Sequence, residues 1–113
     1  MNEHPTIAGI QLCSTDDLDV NLDAAASGLR RARDQGADLA VLPENFACHG
    51  GDYRNVAEGR GQELEAWLAD QARAQGLAII GGTLPLVQRP DGSDVPTPRV
   101  RTACRVFDAE GTD

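Results

Sequence analysis

Lysine is absent from the 113 residues: all ten basic side chains are arginines. No apolar run approaches the roughly 20 residues needed to span a bilayer, which excludes a membrane helix. Met1-Asn2-Glu3-His4 carries no basic segment followed by an apolar core, so a secretory leader is not indicated and a cytoplasmic protein is expected. Basic clusters are missing too, and a net charge of −8 argues against a nucleic-acid footprint. Arg99, Arg101 and Arg105 do alternate along one expected strand, where they read as a solvated or interface face. Three cysteines, Cys13, Cys48 and Cys104, are odd in number and irregularly spaced, which excludes a disulfide framework or a zinc pattern. They read as reduced and mostly buried. No Gly-x-Gly-x-x-Gly follows the first strand, where Ser14-Thr15-Asp16-Asp17 is polar and acidic; a phosphate cradle is thereby disfavoured.

What remains is an ordinary globular composition, 41% hydrophobic and 25% charged, of a length for one domain at most. The chain is organised around Asp38-Leu39-Ala40-Val41-Leu42-Pro43-Glu44-Asn45-Phe46. Leu39 to Leu42 are apolar without alternation, which predicts a strand buried on both faces of a layered α/β domain. Pro43 cannot donate to a ladder and ends it, so that Glu44 is delivered at the strand's C-terminal end, where open α/β sheets place their chemistry. By position alone Glu44 reads equally well as a solvated loop carboxylate.

An opening strand is expected over Thr6 to Cys13, with Ala8, Ile10 and Leu12 on one face and the Leu39 strand beside it. A helix follows from Val20 to Gln35, its apolar positions near the i, i+3, i+4, i+7 pattern, and Gly36 caps it. Gly28 in mid-helix is unfavourable by about 1 kcal/mol against alanine and marks a candidate close contact. Ala47 to Arg54 is a glycine-containing loop that would form one wall of a pocket. The second helix is expected over Gln62 to Gln75 with Leu64, Trp67, Leu68 and Ala72 inward, Trp67 as core. Leu77 to Leu86 reads as one buried strand whose Gly81-Gly82 pair permits close backbone approach. Val87 to Pro98 is a turn-rich loop. The last strand, Arg99 to Phe107, would put Val100, Thr102, Cys104 and Val106 on one face, and Asp108-Ala109-Glu110-Gly111 opens a hairpin turn.

Ala37 to Phe46 resembles the first catalytic motif of the nitrilase (carbon–nitrogen hydrolase) superfamily. Further likeness lies in Ile7-Ala8-Gly9-Ile10-Gln11-Leu12, Asn21-Leu22, Gly36-Ala37-Asp38, Gly81-Gly82-Thr83 and Arg101 to Asp108. The branch it looks most like holds amidases for linear ω-amides and deaminated glutathione. The resemblance implies an α/β fold, the nitrilase-like α-β-β-α sandwich, of which these residues form the N-terminal half with about four strands and two helices. It implies hydrolysis of a small linear amide to a carboxylate and ammonia through a Glu-Lys-Cys triad without a cofactor. Glu44 is then the general base, and Asn45, Phe46, His49 and Tyr53 are candidates to line the substrate pocket. A homo-oligomer is implied in the same way, with no nucleic-acid or membrane partner.

The triad's lysine has no counterpart among these residues. An unreturned hairpin would also leave a row of unpaired backbone groups. The expectation is therefore that residues 1–113 are the N-terminal part of a single, longer hydrolase domain, inactive alone. The alternative is a nitrilase-like scaffold or binding module that has lost catalysis. Cys48-His49 as a hydrolytic dyad is disfavoured, since neighbours in an extended chain point apart. Cys48, His49 and Asp52 on one flexible loop make a poor metal set, and no metal is expected.

Overall fold

The computed structural model describes residues 4–113, so Met1, Asn2 and Glu3, part of the leader reading, lie outside the described residues. Three short parallel strands form the centre: β1 (Ile7–Gly9), β2 (Leu39–Val41) and β3 (Ala78–Ile80), with Ala8 level with Ala40 and Ala40 level with Ile79. The ladder continues past β1 and β2, because Ile10 N–H donates to Val41 O and Leu42 N–H to Ile80 O, both at 2.9 Å. A last strand, β6 (Val106–Phe107), closes the other edge antiparallel to β3, giving the order β1-β2-β3-β6. Two further strands, β4 (Leu84–Leu86) and β5 (Arg101–Ala103), pair antiparallel as a separate ladder.

The crossovers are helical, as parallel neighbours require. Helix α1 (Leu18–Asp34) starts where Asp17 accepts the Val20 N–H at 3.2 Å; Asp19 in its first turn and Arg31 and Arg33 in its last suit the helix dipole. Helix α2 (Tyr53–Gln75) starts at an equivalent Asp52 cap on Asn55 N–H and ends at Gly76 in the left-handed conformation, φ 58°. Ala25, Leu29 and Ala32 of α1 and Leu64, Leu68 and Ala72 of α2 share one core with Ala40, Leu42, Ile79 and Phe107. Gly28 lets α1 approach β1, since a Cβ there would sit 2.7 Å from Ile10 Cγ2.

The mixed α/β class stands, and several elements differ from expectation. Helix α2 begins at Tyr53 instead of Gln62, capped by Asp52 and running through Gly59 and the buried Gly61. Leu77 to Leu86 divides into β3 and β4 at Gly81-Gly82, where φ of Gly82 is 61°. Arg99 to Phe107 divides likewise into β5 and β6, which serve different ladders. Its buried positions are Ala103 and Phe107, opposite to the expected face, while Thr102, Cys104 and Val106 are exposed. The β2 strand is covered on one face only: Ala40 and Leu42 are buried, but Leu39 and Val41 are half-buried, because the residues of both helices gather on the Ala40 side. Of the cysteines only Cys48 is buried; Cys13 and Cys104 are exposed, and all three are free thiols. No helix among the described residues is long and apolar enough to cross a membrane.

Candidate active site at the end of the second strand

Pro43 follows the last ladder bond of β2, and the chain turns sharply through Glu44 and Asn45. Three segments distant in sequence hold that turn. On one side Gly82 lies so close that a Cβ would sit 2.8 Å from Pro43 C and 3.0 Å from Leu42 O, and closer still to Pro43 O. Beside it, Thr83 Oγ1 accepts the Asn45 N–H at 2.9 Å, which pins a residue in the left-handed region, φ 53°. On the other side Ser14 Oγ donates to Phe46 O at 2.8 Å. Asn21, a buried polar side chain, donates Nδ2–H to Ala47 O and to Thr15 O, both at 2.7 Å, and accepts Thr15 N–H at 2.9 Å. The β1–α1 loop and the β2–α2 loop are thus tied through one amide. Glu44 stands at the apex of this clamped backbone with its side chain exposed.

The other expected site residues divide into two groups. Asn45 is half-buried beside Glu44, and His49 is exposed, its N–H donating to Thr15 O at 2.8 Å. Phe46 does not face a pocket: it is fully enclosed and stacks on Trp67 with ring centroids 5.8 Å apart, so its large apolar surface goes to the core. Tyr53 is the first residue of α2, half-buried, and its hydroxyl accepts the Gly50 N–H at 2.9 Å, which ties the loop to the helix. Cys48 is buried, donates Sγ–H to Gly50 O at 3.2 Å, and has its pKa pushed up by burial and then by Asp16. It is a protonated packing thiol, the opposite of an activated nucleophile. Asp52 is the α2 cap, and among the described residues no group of three His, Cys, Asp or Glu side chains is placed to hold a metal ion.

Sequence reasoning did not assign Ser14, Asn21 or Thr83 to the site. Asn21 and Thr83 lay within motifs singled out for resemblance, and that was the available signal. Two open grooves, of about 490 Å³ between α2 and the β4–β5 ladder and about 460 Å³ between β1 and α1, are not lined by Glu44. What the Glu44 turn offers chemically is one solvent-accessible carboxylate on a rigid mount, suited to taking and returning a proton.

The model of the carbon-nitrogen hydrolase family matches residues 6–111. An omega-amidase of Danio rerio is 32% identical over 94 residues, which is 81% of this chain and 31% of that protein. This chain therefore spans about a third of that relative's length. Among solved structures, an amidase from Nesterenkonia sp. superposes with a TM-score of 0.71 at 26% identity, over 96% of this chain and 40% of its own. A nitrilase-superfamily protein of Saccharomyces cerevisiae gives a TM-score of 0.79 over 96% of this chain and 41% of its own; at 22% identity it speaks to the fold.

Proposed function

Because the chain belongs to the carbon–nitrogen hydrolase family, we propose that it supplies the general base, Glu44, of an amidase that converts a small linear amide to a carboxylate and ammonia. The observation that carries this reading is the mount: a carboxylate directly after the proline that ends a central parallel strand, on a turn clamped by Gly82, Thr83 and Ser14. The names of the relatives support the reaction class. One is an omega-amidase, and a mutant of the Nesterenkonia amidase has been solved with acrylamide added at its active site cysteine.

In this mechanism Glu44 takes the proton of a cysteine thiol, and the thiolate attacks the amide carbon. The tetrahedral oxyanion collapses as Glu44 returns the proton to the departing nitrogen, leaving a thioester and ammonia. Glu44 then deprotonates a water, which cleaves the thioester to the carboxylate and restores the thiol. A lysine aimed at the oxyanion stabilises the charge that develops there. The lysine must come from outside these residues, since they contain none. Cys48, the cysteine of the Glu44 loop, is buried and held protonated, so this reading takes the nucleophile from outside these residues as well.

Glu44→Gln in the protein that also carries the lysine and cysteine tests the assignment. Glutamine keeps size and hydrogen bonding but cannot relay a proton, so kcat on a linear amide falls roughly 100- to 10,000-fold with the melting temperature unchanged. Near-normal turnover in a folded variant overturns it. Residues 1–113 alone are expected to release no ammonia from ω-amides above the buffer rate; measurable turnover would return attention to Cys48.

A further inference from the structure

Glu44 itself makes no hydrogen bond among the described residues, so what aims it must be its backbone. That backbone is bracketed. Pro43 fixes its own φ on one side. On the other, Asn45 is held in the left-handed region, a conformation that a non-glycine residue adopts only at a cost. Asparagine is among the residues that tolerate it best, and the bond from its N–H to Thr83 Oγ1, 2.9 Å, is of the same order as that cost. Thr83 is in turn a firm anchor. It sits between Gly82, packed against Pro43, and β4, whose Leu84, Pro85 and Leu86 are all buried and paired with β5.

From this geometry we infer that Thr83 is a positioning residue for Glu44: its hydroxyl oxygen, by accepting the Asn45 N–H, locks the turn that sets the direction of the Glu44 side chain. The inference rests on the reading of Glu44 as the general base. It assigns Thr83 no contact with substrate. The methyl group of Thr83 is not what matters; the acceptor oxygen is. Valine preserves the branched shape and removes the acceptor, whereas serine keeps the acceptor and removes the methyl.

The test is carried out on the active protein. Thr83→Val is expected to lower kcat roughly tenfold while leaving KM within about twofold, because a misplaced catalytic group loses rate without losing substrate binding. Thr83→Ser is expected to stay within about twofold of the parent. The two residues act as a unit, so Thr83→Val placed on Glu44→Gln should produce no further loss. A parent-like kcat in Thr83→Val, a fall in Thr83→Ser as deep as in the valine variant, or additive losses in the double variant would each overturn the inference. Amide exchange gives a readout independent of turnover: the Asn45 N–H should be protected in the parent and in Thr83→Ser, and an Asn45 amide exchanging at the rate of an open chain in the parent refutes the lock. That measurement also serves if the valine variant does not fold. If Glu44→Gln abolishes activity while Thr83→Val does nothing, only the positioning role fails. If both leave turnover intact, it is the base assignment that fails.

Discussion

Two proline-bearing turns of this chain are held in contrasting ways. The turn at Pro43 to Phe46 takes its hydrogen bonds from Thr83, 38 residues away, and Ser14, 32 residues away, and Asn21 ties the following residue from 26 away. The connection from Val87 to Val95, which contains Pro90, closes mainly on itself: Val95 N–H donates to Val87 O at 2.7 Å, Arg89 N–H to Ser93 O at 2.8 Å, and Asp91 accepts from Ser93. Its tethers from outside are Arg54, which donates to Val95 O at 2.6 Å, and Arg101, which donates Nε–H to Gln88 O. A turn bonded from distant segments exists only when the whole fold exists, and it inherits the rigidity of that fold. A locally closed loop adopts its shape at little entropic cost and can open without the rest. The carboxylate is carried by the first kind, which is where precise placement is available.

The sharpest way to break this comparison is a matched pair of glycines. Gly82, φ 61°, and Gly92, φ 87°, are both left-handed, but a Cβ on Gly82 would run into Pro43 while one on Gly92 meets nothing within 4 Å. Gly82→Ala is expected to lower stability by about 3 kcal/mol, joining the left-handed penalty to overpacking against backbone that cannot move aside. Asn21→Ala comes next at about 2 kcal/mol, since it strands the buried carbonyl of Ala47 and takes the acceptor from the Thr15 N–H. Gly92→Ala should reach only about 1 kcal/mol, the conformational penalty alone. Urea unfolding of the three variants checks the ranking; equal losses for the two glycines would mean that the Pro43 contact adds nothing.

The smallest effect belongs to Asp91. Its carboxyl is held below the ordinary range by the Ser93 hydroxyl and then by the Ser93 backbone N–H. A depressed native pKa means that the folded state binds its proton less readily than the unfolded state. The contribution is therefore present above the unfolded pKa and is lost as pH falls through the native one. Asp91→Asn should lower the melting temperature slightly at neutral pH, with the difference closing below roughly pH 4. A gap that widens on acidification contradicts the sign.

Much of the frame was legible in residue order because its causes are local. Helix α1, strand β2, the stop at Pro43 and the close packing at Gly28 and Gly82 follow from apolar periodicity, proline's missing donor and glycine's missing Cβ, all readable within a few residues. The N-terminus of α2 was missed because Gly59 and Gly61 look like loop residues, whereas the Asp52 cap and the packing of α2 carry the helix through them.

The sequence by itself determined that two helices cross over, with α1 and the C-terminal part of α2 in place, where the central strand ends, and that a carboxylate stands at that end. Only the tertiary structure decided that Leu77 to Leu86 and Arg99 to Phe107 each serve two ladders, that Ala103 and Phe107 face inward, and that Phe46 belongs to the core against Trp67. It also decided that Asn45 turns left-handed against Thr83. The physical reason is the same in each case: an apolar residue shows that it will be buried without showing against what, and a hydrogen bond across 38 residues leaves no mark on either neighbourhood until the chain brings them together.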